Sequence, residues 1–423
     1  MTPAARLAAT IAIVSDILGR AAAADRVLSD WQRRNRYAGA KDRRAIGEAV
    51  YAVLREQGMR RWRLEEAGAA ITPRLLVFAD AATPLQEWQK LCTGEKYAPP
   101  PLSEDEAAIL SHLPSDEAAP LWARVNLPPP VAEMVQAAFG PHTEMELSAL
   151  NGRAPLDLRV NTLKTSREDV LQQLRAESIG AAPTPFSPLG IRIAERVRLE
   201  TSPLYTDGLI EPQDEGSQIA AQLADAANCK FVVDFCAGAG GKTLVLAAAM
   251  RNVGRLVAMD VSAGRLTQAR LRLRRAGVHN AETRELDSKW IKRHSGQADR
   301  VLVDAPCTGT GTWRRKPDAK WRLTPKDLEE LVPRQAEILD RAARLVKPQG
   351  RLIYVTCSVL REENDDQVAA FLKRHPDFKV MPVTEVWPQT IGGACPVPGP
   401  YLALSPARHG TDGFFAAILV RHA

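Results

Sequence analysis

Cysteine is scarce in this chain. Six thiols are spread over 423 residues, Cys92, Cys229, Cys236, Cys307, Cys357 and Cys395, and no two form C-x-x-C. That spacing argues against a disulfide framework and a zinc ribbon; reduced thiols in a cytoplasmic protein are the expectation. Long hydrophobic runs are missing as well, since no stretch approaches the ~18 apolar residues that a membrane helix needs. The opening MTPAARLAATIAIV lacks the h-region and cleavage site of a signal peptide. No internal repeat or low-complexity tract appears. What remains is a chain of 45% hydrophobic and 25% charged residues, long enough for two or three globular domains. A monomer without metal or membrane attachment is expected.

The net charge of +6 is unevenly spread. Residues 1–64 hold thirteen Lys/Arg against six Asp/Glu, and residues 65–140 hold four against eleven. Two basic regions separated by an acidic one suggest a polyanionic partner met at two places, although solvated helix faces would look the same. Arg33, Arg34, Arg36, Lys41, Arg43 and Arg44 form the strongest N-terminal patch.

Residues 1–145 read as a helical domain. Ile46, Val50, Val53 and Leu54 recur at helical spacing, and prolines punctuate the later part. Residues 146–225 read as a small α+β unit, with strands in LDLRVNTLK and GIRIAERVRL around a capped helix SREDVLQQLRAESI. From 226 to 423, short apolar strands alternate with helices, which predicts a doubly wound parallel sheet covered on both faces. The closing HGTDGFFAAILVRHA supplies one more strand, expected at the sheet edge.

The turn VVDFCAGAGGKT, Val232 to Thr243, falls between the first strand and first helix of that sheet. It satisfies neither G-x-x-x-x-G-K-[ST], because Cys236 stands where the first glycine belongs, nor G-x-G-x-x-G. A cofactor with an adenosine and no pyrophosphate fits better, and S-adenosylmethionine is the expectation. Asp260 ends the next strand, where an acidic side chain bonds ribose hydroxyls or caps the following helix. Asp287 follows the third strand and either bonds the adenine amino group or is a plain loop aspartate.

Two further strands deliver DAPC, Asp304 to Cys307, and TCS, Thr356 to Ser358, to the same carboxyl edge. A single free cysteine is usually a small buried hydrophobe. Two at equivalent strand ends suit a particular chemistry. A thiolate adding to C6 of cytosine makes C5 nucleophilic towards a methyl donor, a base then removes the C5 proton, and an acid or strong donor is needed at N3. One cysteine as nucleophile, the other assisting release and Asp304 at N3 meet these needs. Spacing alone leaves open which cysteine attacks.

The motifs RVNTLK, EPQDEGSQIAA, DFCAGAGGKT, DAPCTGTGTWRRKPDAKW, VTCS and TDGFF, in this order, resemble the NOP/Sun family of RNA cytosine-5 methyltransferases, most closely its bacterial small-subunit ribosomal RNA enzymes. The resemblance implies a class I (Rossmann-like) seven-stranded methyltransferase fold, preceded by an all-α domain and a small α+β (RRM-like) subdomain. It implies Cys357 as nucleophile and Cys307 as the residue assisting release. It places Cys236, Ala237, Gly238, Ala239, Gly240, Gly241, Lys242, Asp260, Arg265, Asp287 and Asp304 around the cofactor, with Lys242 and Asp304 also near the base. The family usually reads Ala-Ala-Pro-Gly-Gly-Lys where this chain has Ala237 to Lys242. VLSDWQRRNRYAGAKDRRAIGEAVYAVLRE resembles an antitermination-factor (NusB-like) helical module. The implied partner is ribosomal RNA; a transfer-RNA enzyme of the same family and a non-catalytic assembly factor are the alternatives. TWRRKPDAKWR, with Trp313 and Trp321 among five basic residues, reads as a stacking surface for an unpaired base or as a loop whose tryptophans pack inward.

Overall fold

A computed structural model describes residues 1–20, 22–194, 197, 199 and 201–422. The chain forms two compact units: Met1–Gly152 with Trp313–Pro325, and Arg153–Thr312 with Lys326–Ala423.

The first unit begins with the helices Pro3–Arg20, Ala24–Arg34, Ala40–Arg55 and Gln57–Glu66. Helical spacing gathers Ile13, Val14 and Ile17 on one face, and Ile46, Val50, Val53 and Leu54 on another. These side chains share a core with Leu64, Leu76 and Phe78. Prolines then shorten the elements: Pro73 opens the helix Pro73–Phe78, whose N-cap Thr72 accepts from Leu75 N at 3.1 Å. Buried Arg60 donates to Leu76 O and Val77 O at 3.0 and 2.8 Å, satisfying carbonyls at that helix's free end.

The segment Trp313–Pro325 packs into this unit, and the stacking surface expected there is corrected. Trp313 is 2% exposed and packs beside Leu127, Leu147 and Leu150. Lys320 is buried, donating to Asn151 Oδ1 at 2.5 Å and Arg55 O at 3.3 Å. Loss of hydration pushes its pKa down to about 7. Trp321 donates its indole N–H to Leu54 O at 3.3 Å and lies under Arg61. The tryptophans anchor the segment, and Trp313 has no face to offer a base.

The second unit holds two sheets. The smaller is antiparallel, built from β1 (Leu156–Val160), β2 (Ala181–Pro183), β3 (Gly190–Ile193) and β4 (Ile210–Pro212) in the order β2-β3-β1-β4. Its helix Arg167–Ala176 starts with a capping box between Ser166 and Asp169. β2 and β4 are too short to show alternation in sequence, so only β1 and β3 were legible; part of the strand expected through GIRIAERVRL lies outside the described residues.

The larger sheet contains β5 (Phe231–Asp234), β6 (Arg255–Asp260), β7 (Ala281–Glu285), β8 (Ala298–Asp304), β9 (Val346–Thr356), β10 (Phe378–Met381), β11 (Leu402–Leu404) and β12 (Phe414–Arg421). The order is β10-β12-β9-β8-β5-β6-β7, with β11 paired to β12. β5 to β9 pair in parallel, and β12 and β10 add antiparallel. Alternation divides the core: Val301, Val303, Leu352 and Tyr354 face one helical layer, and Leu302, Ile353 and Val355 face the other. β12 is not at the edge, as expected from the sequence, but lies between β9 and β10. Its continuous run Phe414–Leu419 is buried on both sides, as an interior strand requires.

No helix among the described residues is long and apolar enough to cross a membrane. No group of three or more His, Cys, Asp or Glu among them could hold a metal ion.

Candidate active site

β5 lies between β6 and β8, so strand order reverses around it, and in open parallel sheets ligands bind at the carboxyl end of such a strand. There the chain turns through Cys236–Gly240 into the helix Gly241–Ala249. Gly238 and Gly240 have φ of 54° and 83°, the left-handed region that glycine tolerates. A Cβ on Gly240 would stand 3.1 Å from Ala269 Cβ, whereas one on Gly238 would meet nothing within 4 Å. Gly240 therefore permits close packing, and Gly238 leaves one side of the turn open. Two guanidiniums hold the turn by its carbonyls: Arg272 donates to Ala239 O, and Arg159 to Gly241 O, each at 2.8 Å. Burial pulls the Arg159 pKa down to about 10.

Three carboxylates stand at or just past the ends of β5, β6 and β7. Asp234, at the end of β5, is fully buried and accepts from Thr243 Oγ1 at 2.7 Å; burial pushes its pKa up to about 7. Asp260, at the end of β6, accepts from Gly238 N at 2.9 Å and Ser262 N at 2.8 Å. The helix after it is capped by Ser262, not by Asp260. Each Asp260 oxygen keeps a lone pair for a hydroxyl. Asp287 caps the helix Ser288–Arg293, accepting from Lys289 N and Trp290 N. Arg265 is exposed in the first turn of the helix Ala263–Ala276. Among the described residues, neither Arg265 nor the Asp287 side chain makes a hydrogen bond or ion pair to another candidate site residue. The Cys236 thiol is pushed well above its usual range, by burial first and by nearby Asp234 next; it packs against the core.

Lys242 Nζ pairs with Asp304 Oδ2 at 2.7 Å, linking the glycine-rich turn to the end of β8. The lysine is buried and its ammonium lies 5.3 Å from the Phe414 ring centroid. Just beyond, Cys307 Sγ and Cys357 Sγ are 3.5 Å apart. Register accounts for the meeting: Asp304 stands opposite Val355 on parallel neighbours, so both chains leave the sheet at one level. The hydrogen bond to Cys357, then burial, holds the Cys307 thiol well above its usual range.

Both thiol loops are anchored on either side of their cysteine. Buried Glu363 accepts from Thr308 N at 2.8 Å and Thr308 Oγ1 at 2.5 Å. Gln335 Nε2 donates to Pro306 O at 3.0 Å and to Glu363 Oε1 at 2.9 Å. Asn364 accepts from Thr356 Oγ1 at 2.5 Å and donates to Ser358 O at 2.9 Å. Gly311 N donates to Cys357 O at 2.9 Å.

Comparison with known proteins bears on the family of the chain. Residues 221–420 match the family model described as 16S rRNA methyltransferase RsmB/F, and residues 127–200 match a ferredoxin-like domain of RsmF/B-like methyltransferases. The ribosomal RNA small subunit methyltransferase B of Photorhabdus laumondii is 35% identical over 291 residues, 68% of this chain and 64% of the relative. A probable ribosomal RNA small subunit methyltransferase B of Synechocystis is 33% identical over 71% of this chain and 68% of its own length. The crystal structure of PH0851 superposes with a TM-score of 0.79 at 27% identity, covering 99% of both chains. The chain belongs to the RsmB/F family. It spans about 64% of the length of the Photorhabdus relative.

In this RsmB/F family member the sequence pointed to the candidate site residues but not to those that hold them. Glu363, Asn364 and Gln335 were missed, as were Arg159 and Arg272. REEND, shortly after TCS, offered the one local signal: adjacent Glu363 and Asn364 a few residues past the cysteine at the end of β9. Gln335 and the two arginines act across 29 to 82 positions of sequence, which no local pattern reveals.

Proposed function

We propose that this chain methylates C5 of a cytosine in RNA, using S-adenosylmethionine and a covalent link between Cys357 and C6 of the base, with small-subunit ribosomal RNA as substrate. The observation that carries this reading is the pair of thiols 3.5 Å apart at the ends of two parallel strands, beside the Lys242–Asp304 pair. The turn fits the cofactor: Gly238 leaves its side open, and Asp260 and Asp287 stand at neighbouring strand ends. When bound there, the cofactor supplies an electrophilic methyl group.

The chain's own groups divide the remaining work. The hydrogen bond to Cys357 and burial keep the proton on Cys307, so this reading gives the attack on C6 to Cys357, as its thiolate. Negative charge then moves to N3, where Lys242 offers ammonium donors and Asp304 holds that ammonium in place. An ionised carboxylate only accepts hydrogen bonds, so the pair rather than Asp304 alone supplies the donor. Once Cys357 is a neutral thioether, its charge no longer opposes ionisation of Cys307. Cys307 can then lose its proton to solvent, take the C5 proton as a thiolate, and allow Cys357 to leave as a thiolate. The helical residues 1–145 add RNA contacts on this reading.

The test uses the two cysteines separately. Cys357→Ala should abolish transfer of labelled methyl groups to RNA. Cys307→Ala should attack and methylate but fail to release, leaving a protein–RNA adduct in denaturing electrophoresis that the double variant lacks. Normal turnover by Cys357→Ala would overturn the assignment, as would an adduct that persists in the double variant.

A further inference from the structure

The helical unit carries a feature that the thiol site does not use. Among the described residues, only two aromatic side chains are largely exposed, Tyr37 at 72% and Tyr97 at 71%. Both line the same groove, about 740 Å³ in volume, together with Trp31 and Lys96. That volume lies within the ~300–1,000 Å³ typical of small-ligand sites. Tyr97 has a φ of 71°, a conformation costly for a bulky residue, and its ring gains almost no burial in return. Lys96 Nζ lies 5.2 Å from the same ring.

The chain around Trp31 and Tyr37 also carries cations. Arg33, Arg36 and Arg43 line a second, shallower groove. Arg34, Arg36, Lys41 and Arg44 are exposed, and among the described residues none has a carboxylate within salt-bridge distance. Two of the nearby acids are already engaged: Asp30 with Arg33, and Asp42 with Arg6 and the N-terminus.

Charge selects among occupants for such a surface. A second copy of this chain would bring like charges together, and an apolar protein segment would leave the cations unused. An unpaired stretch of RNA uses both features, since every base has a face that stacks on an aromatic ring and every phosphate can neutralise a cation. We infer that the groove between Trp31, Tyr37 and Tyr97 holds unpaired bases of the RNA substrate, with Arg34 and Arg36 on the adjoining phosphates. The inference rests on the reading of the chain as an RNA enzyme and adds a second RNA-binding surface, on the helical unit.

The experiment measures fluorescence anisotropy of a labelled oligouridine, which lacks the cytosine that the thiol site needs, with the full chain across a salt series. The Tyr37→Ala/Tyr97→Ala variant should bind about tenfold or more weakly with an unchanged salt slope, because stacking carries no charge. The Tyr37→Phe/Tyr97→Phe variant should keep wild-type affinity. Arg34→Gln/Arg36→Gln should flatten the slope of log affinity against log salt by about 0.7 for each phosphate that is no longer neutralised. Equal affinity of the wild-type and alanine variants, with equal thermal midpoints, overturns the proposal. So does a tyrosine-dependent dimer in sedimentation, which would mean that a second copy covers the groove. If the wild type binds ribosomal RNA but not oligouridine, the groove proposal alone falls; if it binds neither, the RNA-enzyme reading falls with it.

Discussion

The turn after β5 and the two thiol loops lie at the same sheet edge but are held in different ways. The turn is fixed through its main chain: two left-handed glycines set its path, and Arg159 and Arg272 grip its carbonyls. The thiol loops are fixed by buried side chains, with Glu363, Gln335 and Asn364 clamping residues on both sides of each cysteine. A turn that presents backbone and open space to a ligand needs only a defined backbone path. On the proposed mechanism one sulfur must meet C6 and the other the C5 proton, which needs each loop fixed before and after its cysteine, because a misplacement of about 1 Å can cost ~10²-fold in rate.

The largest effect should come from breaking the side-chain clamp. Glu363→Ala leaves Thr308 N without its acceptor and removes one of the acceptors of Thr308 Oγ1 and of Gln335 Nε2. A buried donor so stranded costs about 1–3 kcal/mol. We expect kcat to fall about 100-fold with KM for RNA little changed, and the thermal midpoint to drop. Glu363→Gln should restore most of the rate, because its carbonyl oxygen can still accept from Thr308 N and Gln335 while the Thr308 hydroxyl rotates to accept from the new amide. Equal rates for the alanine and glutamine variants would mean that Glu363 does not position Cys307.

The stability that the turn lends should depend on pH. Asp234 is raised to about 7 by burial. Between the unfolded carboxyl value and that pH the folded chain binds more protons than the unfolded one, so stability falls as pH rises through the window and stays low above it. Asp234→Asn removes this titration and keeps an oxygen for Thr243. The variant should be more stable than wild type at pH 8 by about 2–4 kcal/mol, with the advantage shrinking towards pH 4. Denaturant midpoints across that range check it, and an advantage independent of pH would refute the burial argument.

The same contrast explains what was legible in the sequence. Val301 to Val303 and Leu352 to Val355 announced strands by their apolar runs, and Cys307 and Cys357 announced themselves by standing just past them. The main-chain devices were half visible: Gly238 and Gly240 could be seen, but not the arginines that grip the Ala239 and Gly241 carbonyls. Trp313 and Trp321 misled, because aromatics among basic residues look alike whether the rings face solvent or a core far away in sequence. β12 was misplaced for a related reason: its run of buried residues marks a strand covered on both faces, and only the sheet order says which strands cover it.

The smallest effect separates two glycines within the turn. Gly238→Ala and Gly240→Ala both force a side chain into the left-handed region, at a cost of about 1 kcal/mol each. Only Gly240→Ala also crowds Ala269, at 3.1 Å between methyl carbons, so it should lower the thermal midpoint further. Only Gly238→Ala puts a methyl group into the open side of the turn, so it should weaken binding of S-adenosylmethionine more, by about tenfold if the methyl occludes one hydrogen bond to the ligand. Calorimetric titration alongside thermal melts reads both properties for both variants. If the two losses fall in the same order for both glycines, the open side at Gly238 is not where the cofactor lies, and the turn is a structural joint whose ligand contacts are made elsewhere.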